Sequence, residues 1–200
     1  KLNEDTKASN YTIEIAVGKL TVKESEKTVV VTIKGNTDGK TYDGTEHSVS
    51  GYQVESIKIG ENDTDLYTEN DFGFSGKAEA KGTNAGTYPM GLKEAQFTNK
   101  NGNFTSVVFV VTDGKLEVTP RLVTLTSESA SKPYDGTALT RPDVTGGDGF
   151  VAGEVTDIRA TGSVTNVSEG EVTNTITYTT GEKFNADNYN ITQEEGKLSI

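Results

Sequence analysis

One histidine and thirty carboxylates are the side chains of this 200-residue sequence best equipped for acid–base or metal chemistry. His47 stands alone, with no cysteine and no HExxH or Ser-His-Asp pattern around it, so zinc and nucleophilic chemistry lack their usual residues. It is expected to be a surface histidine. Paired carboxylates could cleave a sugar linkage, but among thirty acidic residues some pair will always look suitable, and the chain is read as non-enzymatic and without a cofactor. The densest acidic stretch is residues 61–71, with Glu61, Asp63, Asp65, Glu69 and Asp71. Hard cations favour such oxygens, which makes Asp63, Asp65, Glu69 and Asp71 calcium candidates. The spacing lacks the glycine and terminal glutamate of an EF-hand loop, so a solvated loop is the default expectation. Tyr52, Tyr67 and Tyr88 are the candidates for an aromatic platform that would bind a host or cell-wall glycan.

Charge and composition narrow the field. The balance of 19 basic against 30 acidic residues gives 19 − 30 = −11. Nucleic acid and anionic membranes both need clustered Lys and Arg, and no basic block is present. No apolar run approaches the roughly 20 residues of a membrane helix. Absence of cysteine removes disulfides and thiolate metal sites. Abundant Thr, Asn, Gly and Val suit β domains with one solvated face.

The elements that would position any site follow from an internal repeat. Lys40-Thr41-Tyr42-Asp43-Gly44-Thr45 returns as Lys132-Pro133-Tyr134-Asp135-Gly136-Thr137, a period of 134 − 42 = 92 residues. Gly-Lys-Leu occurs at Gly18, Gly114 and Gly196. Asp-Gly favours a turn, because Gly accepts positive φ and Asp bonds nearby backbone. Tyr42, Asp43, Gly44, Tyr134, Asp135 and Gly136 therefore read as a structural turn motif, with both tyrosines buried. From Tyr to Gly-Lys-Leu is 114 − 42 = 72 residues in the first repeat and 196 − 134 = 62 in the second. From Asn84 to Gly114 and from Asn166 to Gly196 is 30 in each case, so the ten extra residues precede Asn84. The acidic loop is their natural place.

Alternation predicts a strand through Tyr11, Ile13, Ile15 and Val17, and β-branched residues predict another from Val29 to Ile33. Val49 to Ile59 reads as one or two strands, and Val107–Val111 is apolar on both faces and predicted to be the most buried. No window carries helical spacing with caps, although β-grasp-like packing with a short helix in 49–72 is an alternative. The division is 1–25 as terminal strands of a preceding repeat plus linker, 26–119 as the first full repeat and 120–200 as the second. Pro120 should stiffen the 119–121 junction relative to the charged 23–27 junction.

The ordered set Tyr134-Asp135-Gly136-Thr137, Phe150-Val151-Ala152-Gly153-Glu154, Ala160-Thr161-Gly162-Ser163, Asn188-Tyr189-Asn190-Ile191 and Gly196-Lys197-Leu198 resembles the YDG/MBG-type repeat of bacterial surface proteins. It covers nearly all of 121–200 and, less evenly, 29–118. The resemblance implies an all-β fold of tandem antiparallel Ig-like β-sandwich repeats in an elongated array. It implies an extracellular setting, at the bacterial surface or secreted, as a stalk, display or adhesion module of an adhesin-like protein. The expected partners are neighbouring repeats of the same chain and a host or cell-wall glycan or protein. A glycan-binding accessory module of a larger polysaccharide-processing protein is the alternative.

Overall fold

The computed structural model describes residues 7, 9, 11, 12 and 14–200, and among them every regular element is a strand or a single 3-10 turn. The chain is all-β. The strand Val29–Gly35 lies between two neighbours, parallel to Val107–Thr112 and antiparallel to Tyr52–Ile59. Its β-branched side chains fit a pleated surface packed on both sides. Val29, Val31 and Ile33 have no exposed surface, as the period of two requires. A second small sheet sets Lys115–Thr119 parallel to Thr37–Thr41 and antiparallel to Gly86–Pro89.

The same pairings return in the second half. Arg121–Ser127 runs parallel to Tyr189–Glu194 and antiparallel to Val144–Thr145. Ala130–Ser131 and Val172–Asn174 flank Gly196–Ser199 in the same two senses. Val29 pairs with Val107 and Arg121 with Tyr189, where 121 − 29 = 92 and 189 − 107 = 82. Asp38 pairs with Leu116 and Ala130 with Leu198, where 130 − 38 = 92 and 198 − 116 = 82. The register is thus kept through the change of offset that the extra residues cause. The glycine of Gly-Lys-Leu earns its place by a close crossing. Gly114 meets the backbone of Gly35 and Asn36, and Gly196 meets that of Glu128 and Ser129, with no room for a Cβ on either.

Several expectations are corrected. The sheets are mixed rather than antiparallel, because the first strand of each half takes a late strand as its parallel neighbour. That arrangement needs a long crossover, and the intervening strands supply it. Val107–Thr112 is an edge strand with Val108 and Val110 exposed, and Val29–Gly35 is the buried one. Val108 and Val110 point to the face opposite buried Phe109. Region 49–72 holds the long strand Tyr52–Ile59, a hairpin return at Asn62–Asp63 and a 3-10 turn at Glu69–Asp71, with no α-helix. The second half has only Val144–Thr145 in place of the long strand, so the extra residues build strand and hairpin as well as loop. Around Tyr11–Val17, Ile13 lies outside the described residues, and residues 14–22 form no strand, with Ile15, Val17, Leu20 and Val22 exposed.

Three apolar cores result. One belongs to the first half, around Val29, Ile33, Tyr67, Phe72 and Phe97. A small one, of Leu139, Val164 and Leu198, belongs to the second. The third draws on both, with Tyr42, Leu116 and Val118 packed in one cluster with Val123, Leu125, Phe150 and Tyr189. One residue, Pro120, separates Lys115–Thr119 from Arg121–Ser127. Hydrogen exchange should follow this layout: amides of 14–22 should exchange near the unprotected rate, while those of 29–35, 115–119 and 121–127 should be slow. Fast exchange at 115–127 would contradict a core shared across the link.

Candidate functional site

The turn motif builds the same local geometry twice. Asp43 Oδ1 accepts the Thr45 backbone N–H at 2.9 Å and the Thr45 hydroxyl at 2.7 Å. Asp135 Oδ1 accepts the corresponding groups of Thr137 at 2.9 and 2.7 Å. Gly44 at φ 82° and Gly136 at φ 78° turn the chain in the left-handed region that glycine tolerates. The Thr45 hydroxyl holds the Asp43 carboxyl below the usual carboxylate range. Lys132, at 2.8 Å, does the same to Asp135, followed by Thr137. His47 is half-buried, its Nε2 3.0 Å from Asp43 Oδ1, and it braces the first turn.

What differs is the environment of the tyrosine. Tyr42 is 3% exposed, and its hydroxyl donates to Glu154 Oε1 at 2.5 Å, across 112 positions of sequence. Tyr189 donates to the other oxygen, Glu154 Oε2, at 2.7 Å. The two rings meet edge to face at 5.5 Å. Glu154 is itself buried, so each carboxylate oxygen takes a tyrosine hydroxyl in place of water. Val151 donates its N–H to the Tyr189 hydroxyl at 3.0 Å, which fixes the second ring. Beside this cluster, fully buried Asn188 accepts the Ala85 N–H at 2.7 Å and donates to Asn84 Oδ1 at 3.0 Å. Tyr42, Asn84 and Ala85 come from the first half, and Glu154, Asn188 and Tyr189 from the second. They form a polar joint set against the shared apolar core.

The other sequence candidates fall elsewhere. Asp71 closes the Thr68 turn, accepting the Thr68 N–H at 2.7 Å and the Asn101 side chain at 2.9 Å. The Thr68 N–H is the main cause of its lowered pKa. Asp63 sits in the short hairpin strand and Glu69 opens the 3-10 turn, with Asp65 in the exposed stretch between them. Among the described residues, no group of three or more His, Cys, Asp or Glu is placed to hold a metal ion. Tyr67 is 1% exposed, and its hydroxyl is bound to Asp71 O and Asn99 Oδ1. Tyr52 packs edge-on to Phe74 and Phe97. Tyr88 is half-buried over Gly82, with its hydroxyl on Asn84 O at 2.8 Å. Tyr67 fills interior space, while Tyr52 and Tyr88 are half-buried against their neighbours. Tyr134, expected to be buried, is 61% exposed, and among the described residues no carboxylate takes its hydroxyl.

Glu154 and Asn188 were missed as site residues, although both lie inside motifs that the sequence displays. Neither recurs in the first half, where Asn62 and Ser106 stand at the corresponding places, so the repeat gave no signal for them. The family model of the MBG domain matches residues 29–120. This stretch is the half that the sequence motifs covered less evenly. No curated protein and no solved structure matches the chain.

Two outcomes check the joint. A Cβ on Gly44 would lie 2.8 Å from Val151 Cγ1, whereas one on Gly136 would meet nothing within 4 Å. Both glycines carry the same φ cost, so Gly44→Ala should lower stability in urea by about 1–3 kcal/mol more than Gly136→Ala. Equal losses would contradict the close approach. The second outcome concerns pH. Burial, then the Glu154 carboxylate, pushes the Tyr42 hydroxyl from 10.0 up to about 12, and burial does the same for Tyr189. Their folded pKa lies above the unfolded one, so their contribution is complete below about pH 10 and lost as the pH rises through about 12. The melting temperature should fall over that range, and Tyr42→Phe with Tyr189→Phe should flatten the fall. Tyr67, also pushed to about 12 by burial, should leave a residual slope.

Proposed function

We propose that this chain is a non-catalytic repeat segment of a bacterial cell-surface or secreted adhesin-like protein, acting as stalk or display rather than as the ligand-binding head. The observation that carries this reading is the joint. Two halves of equal register meet through one linking residue, a common apolar core and a buried carboxylate held from both sides. A stalk needs stiffness between units, and stiffness comes from burying contacts across a short link. The MBG domain match supports a repeat module, and the tyrosines offered for glycan binding are committed to packing. The tandem reading treats 26–119 and 120–200 as successive units.

The reading is tested on a broad glycan and mucin array at physiological salt, with and without calcium. A blank array under both conditions is the expected result. Saturable binding to one glycan class would replace the stalk by an adhesive or accessory module, and calcium-dependent binding would return attention to Asp63, Asp65, Glu69 and Asp71.

A further inference from the structure

The second half carries the parts of a joint with nothing among the described residues seated against them. Its turn repeats the bonds of the first, from Asp135 to Thr137. Tyr134 occupies the place of Tyr42, at 134 − 42 = 92, yet is 61% exposed where Tyr42 is 3%. Asn166 and Val167 occupy the places of Asn84 and Ala85, at 166 − 84 = 82 and 167 − 85 = 82. Ala85 is held by Asn188, whereas Val167 is 64% exposed. Two large apolar side chains are therefore in water at the two positions that make the joint in the first half. A tyrosine held out on a fixed turn and a valine opening a 3-10 turn are costly to leave unburied and effective once buried. The lobe that presents them is packed, with Leu139, Val164 and Leu198 buried beneath it. Lys132 ties down the turn through Asp135 and Thr137, at 2.8 and 2.6 Å.

We infer that the Tyr134 turn, with Asn166 and Val167, is the docking face of a second joint. It takes a further domain that offers a buried carboxylate, an asparagine and a tyrosine arranged as Glu154, Asn188 and Tyr189 are. This rests on the stalk reading and names how the stalk would be extended. The socket recurs within the chain at the level of sequence. Tyr189 lies 196 − 189 = 7 residues before the Gly of Gly-Lys-Leu with Asn188 ahead of it, and Tyr11 lies 18 − 11 = 7 before Gly18 with Asn10 ahead of it. The first half has Ser106-Val107 there instead. A second copy of this chain cannot supply the Glu154 socket, because its own Tyr42 already fills it.

The test extends the chain in register. Leu116 to Val118 matches Leu198 to Ile200, so residues 119–200 are appended directly after Ile200, with Tyr134→Phe in the appended part to keep the peptides distinct. This also supplies a Thr119 whose carbonyl can accept the Tyr134 N–H, as the original accepts that of Tyr42 at 2.9 Å. Tyrosine-specific covalent labelling, read by mass spectrometry, is compared between the 200-residue and the extended chain. Labelling of Tyr134 should fall at least tenfold on extension, to the level of Tyr42, and Glu154→Ala in the appended part alone should restore it. Protection of Tyr42 in both chains controls for folding of the host, and resistance of the appended part to trypsin controls for its own. Equal labelling of Tyr134 in the two chains would overturn the inference. So would protection that survives the Glu154→Ala change. Either result leaves the stalk reading standing with a loose second joint, whereas glycan binding would remove the stalk reading and leave the joint intact.

Discussion

A carboxylate buried without water has to be met by donors, and Glu154 finds one of its two in the neighbouring half of the chain. Leaving either oxygen unpaired would cost about 1–3 kcal/mol, so Glu154 ties the position of Tyr42 to that of Tyr189. The apolar cluster around Leu116, Val118, Val123 and Leu125 contributes most of the attraction between the halves. It is non-directional and would tolerate sliding. The hydroxyl-to-carboxylate bonds and the Asn188 contacts are directional and select one orientation.

This constraint explains why one motif takes two forms. The Asp-Gly turn is a local structure, made by Asp43 with Thr45 and by Asp135 with Thr137 in the same way. Burial of its tyrosine is a property of the joint. Tyr42 has a partner surface and Tyr134 has none among the described residues, so the shared Tyr-Asp-Gly-Thr yields opposite exposure. A reading limited to the turn has no means of telling the two apart.

Much of the fold was legible where the signal was local. Val29 to Ile33 announces a strand by β-branched residues, and Gly-Lys-Leu recurs where Gly114 and Gly196 make their close crossings. The bookkeeping of the two offsets was legible too, because the pairing registers preserve it. What escaped were decisions made by distant partners. The parallel pairing of Val29–Gly35 with Val107–Thr112 depends on which of two apolar strands takes the centre, and composition favoured the wrong one. Tyr67 looked available beside an acidic loop, but its ring closes the core of the first half. Glu154 looked like one more acidic residue among thirty, since its burial is set by Tyr42 at a separation of 112 positions.

The central claim is that these two side chains hold the halves together, and a double-mutant cycle on Tyr42→Phe and Glu154→Ala measures it most directly. With urea unfolding followed for the parent, both single variants and the double variant, the account expects a coupling of about 1–3 kcal/mol between residues that are remote in sequence. A coupling of zero within error would mean that the hydroxyl and the carboxylate contribute independently, and the joint as described would not exist.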